Sequence, residues 1–109
     1  MKALPFAKPT KRVRDAEYMA FVRTLPCAAR LLGRSACMGL VEADHMLRNH
    51  GGNRRGDDTA CAPLCHLHHS QRHAWSGPFA DWTREQMRDW CARVIAETHA
   101  QWEKLHHDR

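Results

Sequence analysis

Apolar residues recur at helical spacing in two parts of this chain, near residue 15 and along the last third. Between them the pattern breaks into short extended runs and glycine-rich polar stretches. From Asp15, the positions Tyr18, Met19, Val22 and Leu25 predict a helix with Asp15 as its N-cap and Pro26 closing it. That helix is expected to lie across whatever the cysteines build. Residues 27–39 hold Cys27, Gly33, Cys37 and Gly39 and read as a loop. Residues 39–47 read as a strand opening on Leu40 and Val41, 49–58 as a polar loop, 59–64 as a short returning strand and 64–73 as a short helix. Thr83-Arg84-Glu85-Gln86 matches a capping box. Met87, Trp90, Val94, Ile95, Thr98 and Trp102 then fall near one face, predicting a longer helix over about 81–105. The expected class is α+β, with the local order strand, loop, strand, helix.

Length and charge narrow this picture. A chain of 109 residues fits one domain, near the size at which a hydrophobic core is modest and a structural metal adds useful stability. Residues 1–14 carry Lys2, Lys8, Lys11, Arg12 and Arg14 with Pro5 and Pro9, and read as a basic flexible arm. Residues 15–109 read as a single domain with its core at 27–75. A formal charge of +5 and a pI near 9.3 suit a polyanionic partner. No signal peptide or membrane span is expected.

Five cysteines stand among nine histidines. In a reducing cytoplasm an odd set interleaved with imidazoles reads as metal binding before disulfides. On a helix, Cys65 and His68 lie one turn apart, and so do His69 and His73. With Cys65 at zero, His69 and His73 fall at roughly +40° and +80° and His68 at roughly −60°, so one helix could serve two sites. The first would be structural zinc, on Cys65 and His68 with Cys27 and Cys37 from the loop. Cys61 is the substitute ligand. The second would be open: His69 and His73 chelate a divalent ion and Asp44 supplies a hard oxygen. Asp44 and His45 point to opposite sides of an extended strand, so a bulge or turn is needed for both to serve one site. His45 could then take a proton from water attacking phosphorus. Arg48, Arg54 and Arg55, among Gly51, Gly52 and Gly56, could contact phosphate. Cys91 and His99 have no ligand partner at metal spacing and read as a packed thiol and a partly exposed imidazole.

The order Leu25-Pro26-Cys27, Ala43-Asp44-His45, His50-Gly51-Gly52 with Arg55 and Asp57-Asp58, and Pro63-Leu64-Cys65-x-x-His68-His69-x-x-x-His73 resembles the HNH (His-Me finger, ββα-metal) nucleases. The likeness covers about residues 15–75 and is greatest to small phage and prophage members that enhance recombination. It implies a small zinc-stapled ββα-metal core with an N-terminal helix and a longer C-terminal helix. By position it implies His45 as general base, Asp44, His69 and His73 as ligands of a catalytic ion, and Cys27, Cys37, Cys65 and His68 as the zinc set. The implied activity is DNA hydrolysis with Mg2+ or Mn2+, or else Ni2+ or Zn2+, in a bacterial host cytoplasm. A recombinase or phage protein is a further implied partner. Two departures stand out: the Cys27–Cys37 spacing is widened, and Asp44 stands where the most similar small members have a second histidine, although Asp-His is common across the wider superfamily.

Two readings from other classes compete. A zinc-stabilised nucleic-acid-binding or adaptor protein would keep the fold without turnover. Alternatively, the Met87–Trp102 stripe belongs to a helix that docks a partner in a phage or host complex.

Overall fold

In the computed structural model, which describes residues 14–33, 35–46 and 57–107, the first helix α1 spans Ala16–Val22. The Asp15 carboxylate accepts from the Tyr18 backbone N–H at 3.0 Å, the expected cap. Strand β1 is Val41–His45 and strand β2 is Cys61–Cys65. They pair antiparallel without a break, from Val41 opposite Cys65 to His45 opposite Cys61. A single 3-10 turn, Asp58–Ala60, leads into β2. Helix α2 follows directly over His66–Ala74, and helix α3 runs Arg84–His107. The class is α+β, a two-stranded sheet with helices.

The strands are shorter than the expected 39–47, and β2 begins two residues later than expected because Asp58–Ala60 winds into the turn. Two strands alone are marginal in water, so their faces must be covered. They are covered on both sides, which is why every residue of β2 is buried. One face packs Ala62 and Leu64 against Phe79, Met87, Trp90 and Val94. The other packs Cys61 and Ala43 with Tyr18 and Val22 of α1. Helix α1 therefore lies on the sheet and, of the cysteines, packs on Cys61.

Helix α3 joins the two clusters. Its start carries the expected reciprocal cap: Thr83 N–H donates to Gln86 Oε1 at 2.8 Å and Gln86 N–H to Thr83 Oγ1 at 3.1 Å. Phe79, Trp82 and Trp90 then meet edge to face, with centroids 5.0 to 5.6 Å apart. Further along, Trp102 stands edge-on to Tyr18 and Phe21. Met87, Trp90, Val94, Ile95 and Thr98 are all buried, so the stripe is core and not a free docking surface. Among the described residues, no helix is long and apolar enough to cross a membrane.

Candidate metal centres

The loop after α1 is tied down at both ends. Ala28 N–H donates to the Pro63 carbonyl of β2 at 2.8 Å, and Leu67 N–H of α2 donates to the Met38 carbonyl at 3.1 Å. These two bonds bring Cys27 and Cys37, with nine residues between them in sequence, to the start of α2. Gly39 is required here: its φ is +86°, and a Cβ would stand 2.7 Å from the His66 Cβ. Cys65 does not lie within the helix, as the angular projection assumed, but caps it, its sulfur accepting from the His68 N–H at 3.4 Å. Capping geometry, not helical twist, sets Cys65 beside His68.

Three sulfurs surround one imidazole nitrogen. His68 Nδ1 lies 3.2 Å from Cys65 Sγ, 3.5 Å from Cys27 Sγ and 3.7 Å from Cys37 Sγ. A tetrahedron with ordinary zinc–sulfur and zinc–nitrogen bonds has sulfur–nitrogen edges of about 3.6 Å. The four residues therefore form a site that can hold a metal such as zinc. All five cysteines are free thiols. Cys27 also accepts from the Ala29 N–H at 3.4 Å, and Ser35 Oγ sits 3.5 Å from His68 Nε2 as an outer partner of the ligating ring. Burial and the neighbouring Cys27 and Cys65 push the Cys37 thiol up to about 12. Burial also pushes the Cys65 thiol up, but backbone N–H groups of His68 and Met38 outweigh it, and its value falls. Cys61 packs with Tyr18 and Val22 and is not among the donors that converge with His68, so it does not substitute as a ligand.

Strand alternation builds the second set. Glu42 and Asp44 share the face toward α2, whereas His45 points to the α1 side. The expected bulge between Asp44 and His45 is absent. Asp44 is fully buried, with Oδ1 at 3.3 Å from His69 Nε2 and 3.4 Å from His73 Nε2. These three atoms converge as donors for one ion. Their separations match the edges of about 3.0 to 3.4 Å between ligands bonded at about 2.1 Å. His69 and His73 retain partial exposure, so the set opens to solvent on one side.

Three carboxylate and guanidinium partners were not foreseen from sequence. Arg72, between the two histidines on α2, donates from Nε to Asp44 Oδ2 at 2.5 Å and from Nη2 to Oδ1 at 3.0 Å. Its Nη1 also reaches the buried Cys91 sulfur at 3.7 Å. Glu42 accepts from His69 Nδ1 at 2.6 Å and from His66 Nδ1 at 2.9 Å. Asp58 Oδ1 pairs with His45 Nε2 at 2.8 Å while its Oδ2 accepts from the Asp15 N–H at 2.7 Å. Burial pushes the Asp44 carboxyl up, but His69, His73 and Arg72 outweigh it and hold it well below the usual range. The bond to Asp44, opposed by burial and aided by Glu42, raises the His69 value.

Arg48, Arg54, Arg55 and Gly51, Gly52 and Gly56 lie outside the described residues, as does most of the basic arm at 1–13. His99 is exposed and donates to the Thr59 carbonyl. No protein-family model, curated protein or solved structure matches this chain.

Proposed function

We propose that this domain is a divalent-metal-dependent nuclease of the HNH type that hydrolyses DNA phosphodiester bonds. One observation carries the reading: Asp44, His69 and His73 converge beside, but separate from, a Cys3His set, on a strand, strand and helix in that order. A divalent ion held by the three would offset charge on phosphorus and the leaving oxygen. Every other contribution comes from the chain's own groups.

Asp58 holds His45 Nε2, so the tautomer with a proton on Nε2 leaves the Nδ1 lone pair for a proton from water. His45 ends β1, one residue beyond Asp44. Alternation sends the two to opposite faces, which requires the phosphodiester to lie across the strand end, between the metal set and the imidazole. Arg48, Arg54 and Arg55 follow in sequence, and the net charge of +5 suits the polyanion.

The test is plasmid cleavage with Mg2+, Mn2+, Ni2+ and Zn2+ added singly. His45→Ala should slow cleavage by about 10²- to 10⁴-fold at unchanged metal content and melting temperature. His45→Gln, which keeps an N–H for Asp58 and loses the basic lone pair, should be equally slow. Cleavage by both variants at the wild-type rate would sink the reading.

A specific observation favours one alternative. The His45 side chain is only 12% exposed and engaged by Asp58, and Asp44 is paired at both oxygens by Arg72. Such a closed polar network suits a zinc-stabilised nucleic-acid-binding or adaptor protein. That protein would bind DNA in a salt-dependent way, show no metal-dependent cleavage and be indifferent to His45.

A further inference from the structure

Beside the second ligand set, between the end of α2 and the start of α3, lies a cavity of about 420 Å³. That is within the range of small-ligand pockets, about 300–1,000 Å³. Arg72, Arg84 and Arg88 line it together with Trp75, Met46 and Met87, and no described carboxylate does. Arg72 belongs to both sites, since it pairs with Asp44. The cavity and the metal set are therefore contiguous.

Local stability does not explain these residues. Trp75 occupies the left-handed region at φ 54° and ψ 47°, the end-of-helix position that glycine normally fills. Among the described residues it is the non-glycine residue with positive φ, and it is 40% exposed. A bulky side chain is thus held outward at a backbone cost. Arg84 opens α3 and Arg88 follows one turn later. Cations near the positive end of a helix dipole, and like charges four residues apart, are both unfavourable. Neither arginine makes an ion pair with a described residue.

We propose that this cavity is a subsite for one unpaired nucleotide of a DNA strand. The phosphate lies between Arg84 and Arg88, and the base stacks on Trp75 above the adaptable Met46 and Met87. Guanidinium forks match phosphate oxygens, and an aromatic face accepts any base. The assignment rests on the nucleic-acid half of the proposed function and not on turnover. It implies that the strand passing the metal set is single-stranded, or opened, at this point.

Binding of a fluorescein-labelled twelve-residue oligo-dT, followed by anisotropy with no divalent ion added, tests it. Trp75→Gly, which also suits the left-handed backbone, should weaken binding about five- to a hundredfold, with Trp75→Phe restoring most of the loss. Arg84→Gln with Arg88→Gln should reduce the dependence of log affinity on log salt by about 1 to 2. Arg93→Gln, an exposed arginine further along the same helix, is the control, and thermal melts verify that each variant folds. Wild-type binding by Trp75→Gly, or by the double arginine variant, would overturn the proposal. Loss of binding in a protein that never cleaves would leave the subsite standing and remove the nuclease. Cleavage by wild type alongside unimpaired binding by the variants would do the reverse.

Discussion

The two candidate metal sets share one helix and differ in almost everything else. Cys27, Cys37, Cys65 and His68 supply soft thiolates around a buried imidazole, and backbone bonds to β2 and α2 clamp the loop that carries two of them. Four protein donors at tetrahedral spacing would leave no position open on a bound metal, the arrangement of structural sites. Asp44, His69 and His73 supply three harder donors, with both histidines partly exposed, and leave positions free for water or phosphate. Around the first set lie N–H groups and a hydroxyl; around the second lie an arginine and a carboxylate. The contrast teaches that one helix can carry a closed site and an open one when its two ligand faces meet different partners. A capped, looped thiolate set meets the N-terminal turn, and a strand carboxylate meets the next turns.

If the Cys3His set holds zinc, removing it should have the largest effect. Structural zinc contributes about 10–16 kcal/mol of apparent binding free energy in small domains, as much as the whole stability of many, about 5–15 kcal/mol. Chelation, or Cys65→Ser, should abolish the cooperative thermal transition followed by circular dichroism. An unchanged melt after the metal has been stripped would erase the distinction between the sets.

Next comes Arg72→Met, which leaves the Asp44 carboxylate buried without its main counter-charge. Breaking a buried pair from one side costs about 3–5 kcal/mol. The denaturant midpoint should fall accordingly, and added Mn2+ should recover more stability in this variant than in wild type, because the ion replaces the missing positive charge. Equal stability of the two proteins would mean that His69 and His73 balance Asp44 unaided.

A smaller effect is expected of Glu42→Gln. Glu42 orients His69 through Nδ1, and losing such an outer partner weakens metal binding about 10- to 100-fold. Calorimetric titration should show that loss in the open set alone, with the zinc content unaltered. Loss of zinc as well would show that the two sets are coupled.

The smallest and most graded test is pH. Without a second ion, a protonated His69 can donate to Asp44 and Glu42 at once, which is why its value is raised. The stabilisation this gives the folded protein is fully present below the ordinary histidine value of about 6.5 and is lost as pH rises through the raised one. Ion binding has the opposite sign, because the ligating ring must be neutral: Mn2+ affinity should climb over that window and level off above it. A flat profile from about pH 5.5 to 8.5 would remove His69 from the ligand set.

Much of this was legible in the chain. Apolar periodicity marked α1 and α3, the segment of α2 read as a short helix, and Thr83 with Gln86 marked the third helix's start, because these depend on neighbours within a turn or two. The ligands on α2 were legible for the same reason, since His69 and His73 are four residues apart. Glu42 carries a local signal, since it shares the Asp44 face at a spacing of two. Arg72 was hidden between the histidines, and its meaning depends on a buried carboxylate from a distant strand. Asp58 gave no usable signal, because its bond to His45 needs the turn before β2 and the cap of α1 in one place.

The sequence by itself determined the donor types, their order and their division along one helix, because residue chemistry and helical period are local properties. Only the tertiary structure decided which donors meet. The backbone bonds from Ala28 and Leu67 close the widely spaced cysteines, the unbroken register turns His45 away from Asp44, and the packing of α1 removes Cys61 from the zinc set. Each depends on contacts between residues far apart in the chain, and no local pattern encodes those.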